Sequence, residues 1–229
     1  MTYPDAVNPD VLMRIPLSAA TILDIGCGKG ATGMEYKRRN PAARYFGVEE
    51  DVEAASVALT RLDEVIVGNI EEMAAPFDPE RFDCIVLGDV LEHMRDPWTV
   101  LGSLAGRLMP GGVVVICMPN LEHWSFAARL LMGGWDYEPM GLFDRSHLRW
   151  FTLDTTLRAI RQTGLLPHDV AGRVFDQAAC DGFVEQVTPA LTALGVDPAD
   201  YRRRAAPIQH VWRAVGQPTP RINIVSTML

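Results

Sequence analysis

Thr21-Ile-Leu-Asp-Ile-Gly-Cys-Gly-Lys-Gly30 decides how this chain is read. Thr21 to Ile25 is a short apolar run with the composition of a buried strand. Glycines at 26, 28 and 30 follow, and Ala31 to Arg39 reads as a helix stopped by Asn40-Pro41. Glycines between a strand and a helix permit a tight turn and let a ligand approach the backbone closely. The helix start adds free N–H groups and the positive end of a dipole. By itself the loop says no more than that a strand turns sharply into a helix.

The second strand narrows the reading. Ala43-Arg-Tyr-Phe-Gly-Val48 is apolar and ends at Glu49, 19 residues past Gly30. A carboxylate there can accept hydrogen bonds from both hydroxyls of a ribose, so loop and acid together indicate a nucleoside ligand. The glycine interval argues against a dinucleotide. A pyrophosphate loop reads Gly-x-Gly-x-x-Gly, whereas the third glycine here comes one residue early, with Gly33 further on. Asp24 also sets a negative charge where a pyrophosphate would lie, and suits an ammonium group better. A nicotinamide dehydrogenase is set aside on these grounds.

Outward from the loop, strands and helices alternate. Asp51 caps a helix expected over Val52 to Leu62, and Glu64 to Val67 is a third strand. Phe82 to Leu87 is a fourth, and Asp96-Pro97 opens a helix whose Val100, Leu101, Leu104 and Leu108 share one face. Pro110-Gly-Gly112 reads as a turn, Val113 to Met118 as a fifth strand. These strands are apolar without a period of two, as in a parallel sheet covered on both faces. After Asn120 the pattern loosens: a helix over Leu121 to Met132, a loop over Gly133 to Arg149, a helix over Leu153 to Gly164. A sixth strand within Leu165 to Phe175, helix over Asp176 to Arg204 broken at Gly195 and Pro198, and a last strand at Gln209 to Val215 complete it.

At five places the chain resembles class I S-adenosylmethionine-dependent methyltransferases. Ile22 to Gly30 resembles their first motif, Gly47-Val-Glu49 their second, and Gly68-Asn-Ile-Glu71 the segment that meets the adenine. Phe82-Asp-Cys-Ile-Val-Leu-Gly-Asp-Val-Leu-Glu-His93 is similar to their fourth-strand motif, and Leu108-Met-Pro-Gly-Gly112 to the turn before strand five. The resemblance covers residues 20 to 120. It implies an α/β fold: a Rossmann-like, doubly wound, seven-stranded sheet, mostly parallel with the last strand antiparallel. The implied cofactor is S-adenosylmethionine, leaving as S-adenosylhomocysteine. Asp24 and the backbone of Gly26, Cys27, Gly28 and Gly30 would hold its methionine end. Glu49 would bind the ribose, Asn69 and Ile70 would lie along the adenine, and Gly88 and Asp89 would line the sulfonium end. Asn69 stands where the family usually has aspartate, but its amide oxygen can still meet the adenine amino group.

A hydroxyl acceptor must also lose its proton, which calls for a positioned base. His123, His168 and His210 read as structural or exposed, with His168 in a turn. His93 lies just past the fourth strand, where loops of such sheets face the ligand. It is a catalytic candidate, or fixes the active-site loop. Asp144-Arg-Ser-His-Leu-Arg-Trp-Phe-Thr152 is similar to the Asp-Arg-Thr-His-Leu-Arg-Phe-Phe-Thr signature of a methyltransferase subgroup, many of whose members accompany or are fused to glycosyltransferases. Ser146 and Trp150 are the departures. The resemblance makes His147 the first choice for general base, and Gly133 to Gly141 a lid or acceptor wall. Trp135, Tyr137 and Trp150 either stack on a sugar ring or pack that lid.

Composition bounds the rest. With 229 residues and 48% apolar content the chain can bury one sizeable core. The methyltransferase domain is placed at 1–216: a core at 20–120, an acceptor and lid region at 121–152, and a C-terminal part at 153–216. Residues 217–229 read as a linker followed by Arg221 to Leu229, either an edge strand or tail, or the first strand of a second domain cut short. A net charge of −8 speaks against nucleic acid, and Arg202 to Arg204 reads as a solvated helix face. No apolar run approaches the ~18 residues of a membrane span. Four widely spaced cysteines suggest neither zinc nor disulfides, and fit a reducing cytoplasm. No metal is expected, since the aspartates near the loop lack partners at ligand spacing. The leading reading is O-methylation of a small molecule, sugar or glycan, with a place in polysaccharide biosynthesis and a fused or neighbouring glycosyltransferase. The alternatives are methylation of a nitrogen or of a quinone- or lipid-like acceptor, and a non-catalytic cofactor-binding module.

Overall fold

Strands β1 (Thr21–Ile25), β2 (Arg44–Glu49), β3 (Glu64–Val67), β4 (Phe82–Gly88), β5 (Leu108–Pro119), β6 (Leu165–Arg173) and β7 (Gln209–Gly216) form one sheet in the order β3-β2-β1-β4-β5-β7-β6. This computed structural model describes residues 5–73 and 76–216. Pairs from β3 through β5 are parallel, and β7 runs antiparallel to both β5 and β6. The seven-stranded, mostly parallel sheet with its last strand antiparallel is the one expected. The segment 217–229, read as a linker and the start of a further domain, lies outside the described residues.

Side-chain alternation along the central strands divides the core into two layers. Leu23, Ile25, Phe46, Val48, Ile85, Leu87, Val114 and Ile116 face one side. Ile22, Tyr45, Cys84, Val86, Val113, Val115 and Cys117 face the other. Helices α2 (Ala31–Arg39), α3 (Val52–Ala58), α4 (Pro97–Ala105) and α6 (Leu153–Gln162) accompany the sheet. Their starts follow from local chemistry. Asp51 and Asp96 accept the amides of Ala54 and Thr99, and Thr152 with Thr155 forms a reciprocal capping box. At the edge, β6 alternates between sheltered and exposed residues, as a half-covered strand should. Helix α7 (Gln177–Ala193) packs against α8 (Pro198–Ala205) around Cys180, Val184 and Ala205. The break at Gly195 and Pro198 falls between them.

Some boundaries differ from expectation. The lead-in contains a short helix, α1 (Pro9–Leu12), capped by Asn8. Helix α3 ends at Ala58 rather than Leu62. Pro110-Gly-Gly112 is not a turn: it lies inside β5, which begins at Leu108, opposite Phe82. A Cβ on Gly112 would come within 2.9 Å of the Met109 carbonyl and 3.0 Å of the Phe82 carbonyl, so the glycine permits close backbone approach across an irregular register. His168 lies within β6, where the pairing with β7 shifts register, rather than in a turn.

The chain leaves β1 toward β2 and β3, then crosses back to place β4 on the other side of β1. That reversal opens a crevice at the carboxyl ends of β1 and β4, the usual ligand position in such sheets.

Candidate active site

A cavity of about 910 Å³ occupies that crevice. The loop after β1, the ends of β2 and β4 and the segment around His147 all line it.

Gly26, Gly28 and Gly30 have φ of 67°, 54° and 75°, a left-handed conformation that costs glycine little. Amides of Gly26 and Cys27 donate to the Val48 carbonyl, which ties the loop to β2. The amide of Gly28 donates to Glu49 Oε2 at 2.8 Å, and that of Asp51 to Glu49 Oε1 at 2.9 Å. Glu49 is buried, yet each of its oxygens keeps a lone pair to offer. Nothing lies within 4 Å of where a Cβ would stand on Gly28 or Gly88, so both leave room for a ligand at the backbone. Gly33 does different work: a Cβ there would meet Leu62 at 2.4 Å and Tyr45 at 2.6 Å. It lets α2 press on the sheet.

Asp24 is buried at the cavity edge, and its Oδ2 accepts the Tyr45 hydroxyl at 3.0 Å. Desolvation raises its pKa to about 7; the Tyr45 bond works against this, and the charge of Glu49 adds to it. A buried carboxylate under such pressure favours a cation beside it. Open glycine backbone, an anchored ribose-side acid and a carboxylate seeking positive charge fit S-adenosylmethionine. The adenine side differs in one detail. Asn69 Oδ1 accepts the amide of Glu71 at 2.8 Å and caps the turn Ile70–Glu72, so one of its two lone pairs is already engaged. Ile70 is buried against the cavity.

The other end of the cavity assembles from distant parts of the chain. Asp89, after β4, has φ 55°, opens onto the cavity and accepts Gln209 Nε2 at 2.5 Å. The residue is exposed at the cavity mouth, and partial desolvation of its carboxyl raises its pKa. The carbonyl of Glu92 accepts the amides of Leu148 at 2.8 Å and Arg149 at 3.1 Å, pinning the 144–149 segment to the turn after β4. Asp144 Oδ1 accepts the amide and hydroxyl of Ser146 at 2.7 and 2.6 Å, which shapes the turn. His93 and His147, 54 residues apart, thereby meet edge to face with ring centroids 4.8 Å apart. Desolvation and the neighbouring His93 lower the pKa of His147, with Asp144 opposing, so the ring is neutral and able to accept a proton at neutral pH. Its Nδ1 and both carboxylate oxygens of Glu92 are buried without hydrogen-bond partners.

The comparisons with known proteins decide the family. A family described as "Methyltransferase domain" matches residues 5–168. The chain belongs to that family. A ubiquinone biosynthesis O-methyltransferase of Cereibacter sphaeroides is 30% identical over 173 residues, covering 73% of this chain and 68% of the relative. A trans-aconitate 2-methyltransferase of an Azoarcus species is 38% identical over 113 residues, 48% of this chain and 44% of the relative. Among solved structures, an S-adenosylmethionine-dependent methyltransferase from Mesorhizobium loti superposes with a TM-score of 0.61 at 16% identity, covering 90% and 96% of the two chains. The plantazolicin methyltransferase BpumL in complex with SAH gives 0.58 at 19% identity, covering 87% and 77%. The protein is an S-adenosylmethionine-dependent methyltransferase with the Rossmann-like fold of its family.

Within this methyltransferase, Asp24, Gly26, Cys27, Gly28, Glu49, Asn69, Ile70, Gly88, Asp89, His93 and His147 all line one cavity. Gly30 caps α2 behind the loop. His123 and His210 are buried outside the cavity; His123, its pKa lowered to about 4 by desolvation, caps α5 (Trp124–Leu131). Arg202, Arg203 and Arg204 pair with Asp181, Asp200 and Glu122, so that run is more engaged than a solvated face. All four cysteines are free and buried. Glu92 and Gln209 were not singled out from sequence. Gln209 follows an ordinary loop and carries no motif. Glu92 lies inside the fourth-strand motif, and its burial is what sets it apart.

Proposed function

We propose that the protein transfers the cofactor's methyl group to a hydroxyl oxygen of a small, flat, largely apolar acceptor of the phenol or quinol class. The observation that carries the reaction is the His93–His147 pair beside Asp89 in the cofactor cavity. S-adenosylmethionine, when bound, supplies a methyl group on a positively charged sulfur. Asp24 would hold the ammonium end, Glu49 the ribose, and the chain beyond them sets distance and angle for the acceptor. His147, neutral and desolvated, takes the hydroxyl proton; His93, its Nδ1 3.3 Å from the Ser146 carbonyl, steadies the turn that carries it.

The acceptor class rests on two supports. Relatives at 30% identity are named as ubiquinone biosynthesis O-methyltransferases. Met140, Leu142 and Phe175 give the outer cavity an apolar side, next to the polar Asp144, Arg145 and Gln209. A sugar or glycan acceptor, and with it polysaccharide biosynthesis and a glycosyltransferase partner, rests on the resemblance of residues 144–152. Of the three aromatics that could stack on a sugar ring, Trp135 and Trp150 pack together with Phe126 and Phe143 in the lid, while Tyr137 is exposed. No helix among the described residues is long and apolar enough to cross a membrane. The buried free thiols agree with a reducing compartment such as the cytoplasm.

The test is release of S-adenosylhomocysteine with a panel of catechols and hydroquinones against sugars and primary amines. Turnover confined to the phenolic compounds supports the reading, and turnover confined to sugars or amines overturns it.

A further inference from the structure

We propose that Glu92, His93 and His147 form a binding site for one divalent transition-metal ion of the zinc type. Among the described residues, these three each offer a ligand atom, and the three atoms lie within 4.8 Å of one another. All three line the cavity. Bonds of about 2.0–2.2 Å would place tetrahedral ligand atoms roughly 3.4 Å apart, so modest side-chain rotations close the set.

The second observation is the unpaid polarity of the cluster. Glu92 is 1% exposed and His147 7% exposed, yet both Glu92 oxygens and His147 Nδ1 have no hydrogen-bond partner. Buried polar atoms are nearly always satisfied, and a buried acid with neither oxygen paired is a costly exception. Three orphaned atoms within one small volume are answered together by a single cation. The supports around the cluster suit that role. The His93 Nδ1 lies 3.2 Å from the Ser146 hydroxyl, which itself donates to Asp144, and the Glu92 carbonyl holds the backbone of 148 and 149. Outer hydrogen bonds of this kind fix the orientation of metal-binding rings.

Ligand chemistry selects the ion. Two imidazoles and one carboxylate suit zinc and its first-row neighbours, whereas magnesium and calcium take oxygen ligands. Three protein ligands leave a position open toward the cavity, the pattern of catalytic rather than structural sites. At that position an acceptor hydroxyl would ionise more readily in the metal-loaded protein, its proton passing to water, whereas without the ion His147 keeps the role of base. This last role rests on the proposed O-methylation; metal binding does not.

The experiment uses the full chain, stripped with a chelator and titrated calorimetrically with Zn²⁺, S-adenosylmethionine binding serving as the check on folding. The expected result is one Zn²⁺ per chain. Glu92→Gln and His147→Ala should each weaken it by more than the roughly 10- to 100-fold that loss of an outer-shell partner costs. Absence of stoichiometric binding, or equal affinity in both variants, overturns the proposal. Should the variants fail to bind cofactor, Co²⁺ in the unaltered protein decides. Strong visible bands of a four- or five-coordinate ion without a thiolate charge-transfer band support the site. A weak six-coordinate spectrum, or a thiolate band, overturns it. A protein that binds zinc but methylates no hydroxyl keeps this inference and loses the acceptor reading; one that methylates phenols without zinc does the reverse.

Discussion

The two ends of the cavity are built differently. At the proposed cofactor end, sequence neighbours make the site: a loop of five residues between β1 and α2, an acid at the end of the next strand, and hydrogen bonds that close on each other. Gly28 and Asp51 donate to Glu49, Gly26 and Cys27 donate to Val48, and Tyr45 donates to Asp24. At the acceptor end, residues from β4, from the 144–149 segment and from β7 converge, and three polar atoms remain unanswered. One end closes its hydrogen bonds on itself. The other leaves buried polar atoms unpaired, and on the proposed reaction that asymmetry separates binding the donor from choosing the acceptor.

Four measurements can break or sharpen this contrast. His147→Ala should lower turnover by about 10²- to 10⁴-fold, the usual worth of a positioned acid or base. Cofactor affinity in the same variant should barely change by calorimetry; if affinity collapses while turnover survives, the two ends are not separate. Next, Glu49→Ala should cost about 1.5–3 kcal/mol of cofactor binding, the scale of hydrogen bonds to a charged group, and loosen the loop that Gly28 anchors. Unchanged affinity would mean that Glu49 serves the loop alone.

Gly33→Ala should destabilise the fold by about 1–3 kcal/mol in a denaturant titration, because the new methyl group overlaps Leu62 and Tyr45. Since Tyr45 carries the bond to Asp24, cofactor affinity should fall with it, and a stable variant with normal affinity would refute the packing argument. The smallest effect concerns pH. In the free protein burial favours the neutral form of Asp24, with a pKa of about 7. A cation binds the charged form, so cofactor affinity is full above that pKa and falls by up to about tenfold per unit below it. Asp24→Asn should flatten this dependence, which titrations at several pH values would show.

The same contrast explains what was legible in the sequence. The cofactor end could be read because its parts are close in the chain and each has a local cause: positive φ for Gly26, Gly28 and Gly30, a strand end for Glu49. The parallel sheet was legible from the alternation of apolar runs with helices, whereas seven strands with the last antiparallel followed from the family resemblance. Pro110-Gly-Gly112 misled because glycine marks both turns and close backbone contact, and only the opposing strand at Phe82 tells which. His93 and His147 were each visible as candidates, but their meeting was not. It depends on the Glu92 carbonyl catching two amides more than 50 residues away. No spacing rule reports Glu92, since its importance lies in what it fails to touch.

That carbonyl clamp reaches further along the outer wall than the two amides it holds. Residues 144–149 are fastened to the turn after β4, and the stretch between Gly133 and Gly141, both at positive φ, is tied to them in turn: Arg145 donates its amide to the Glu138 carbonyl, and Asp144 to that of Gly141. A change of length in that stretch would therefore be felt at the histidines. On the proposed reaction, mouth and reacting groups are one linked piece, and a new acceptor would be reached by changing side chains along this wall rather than its length.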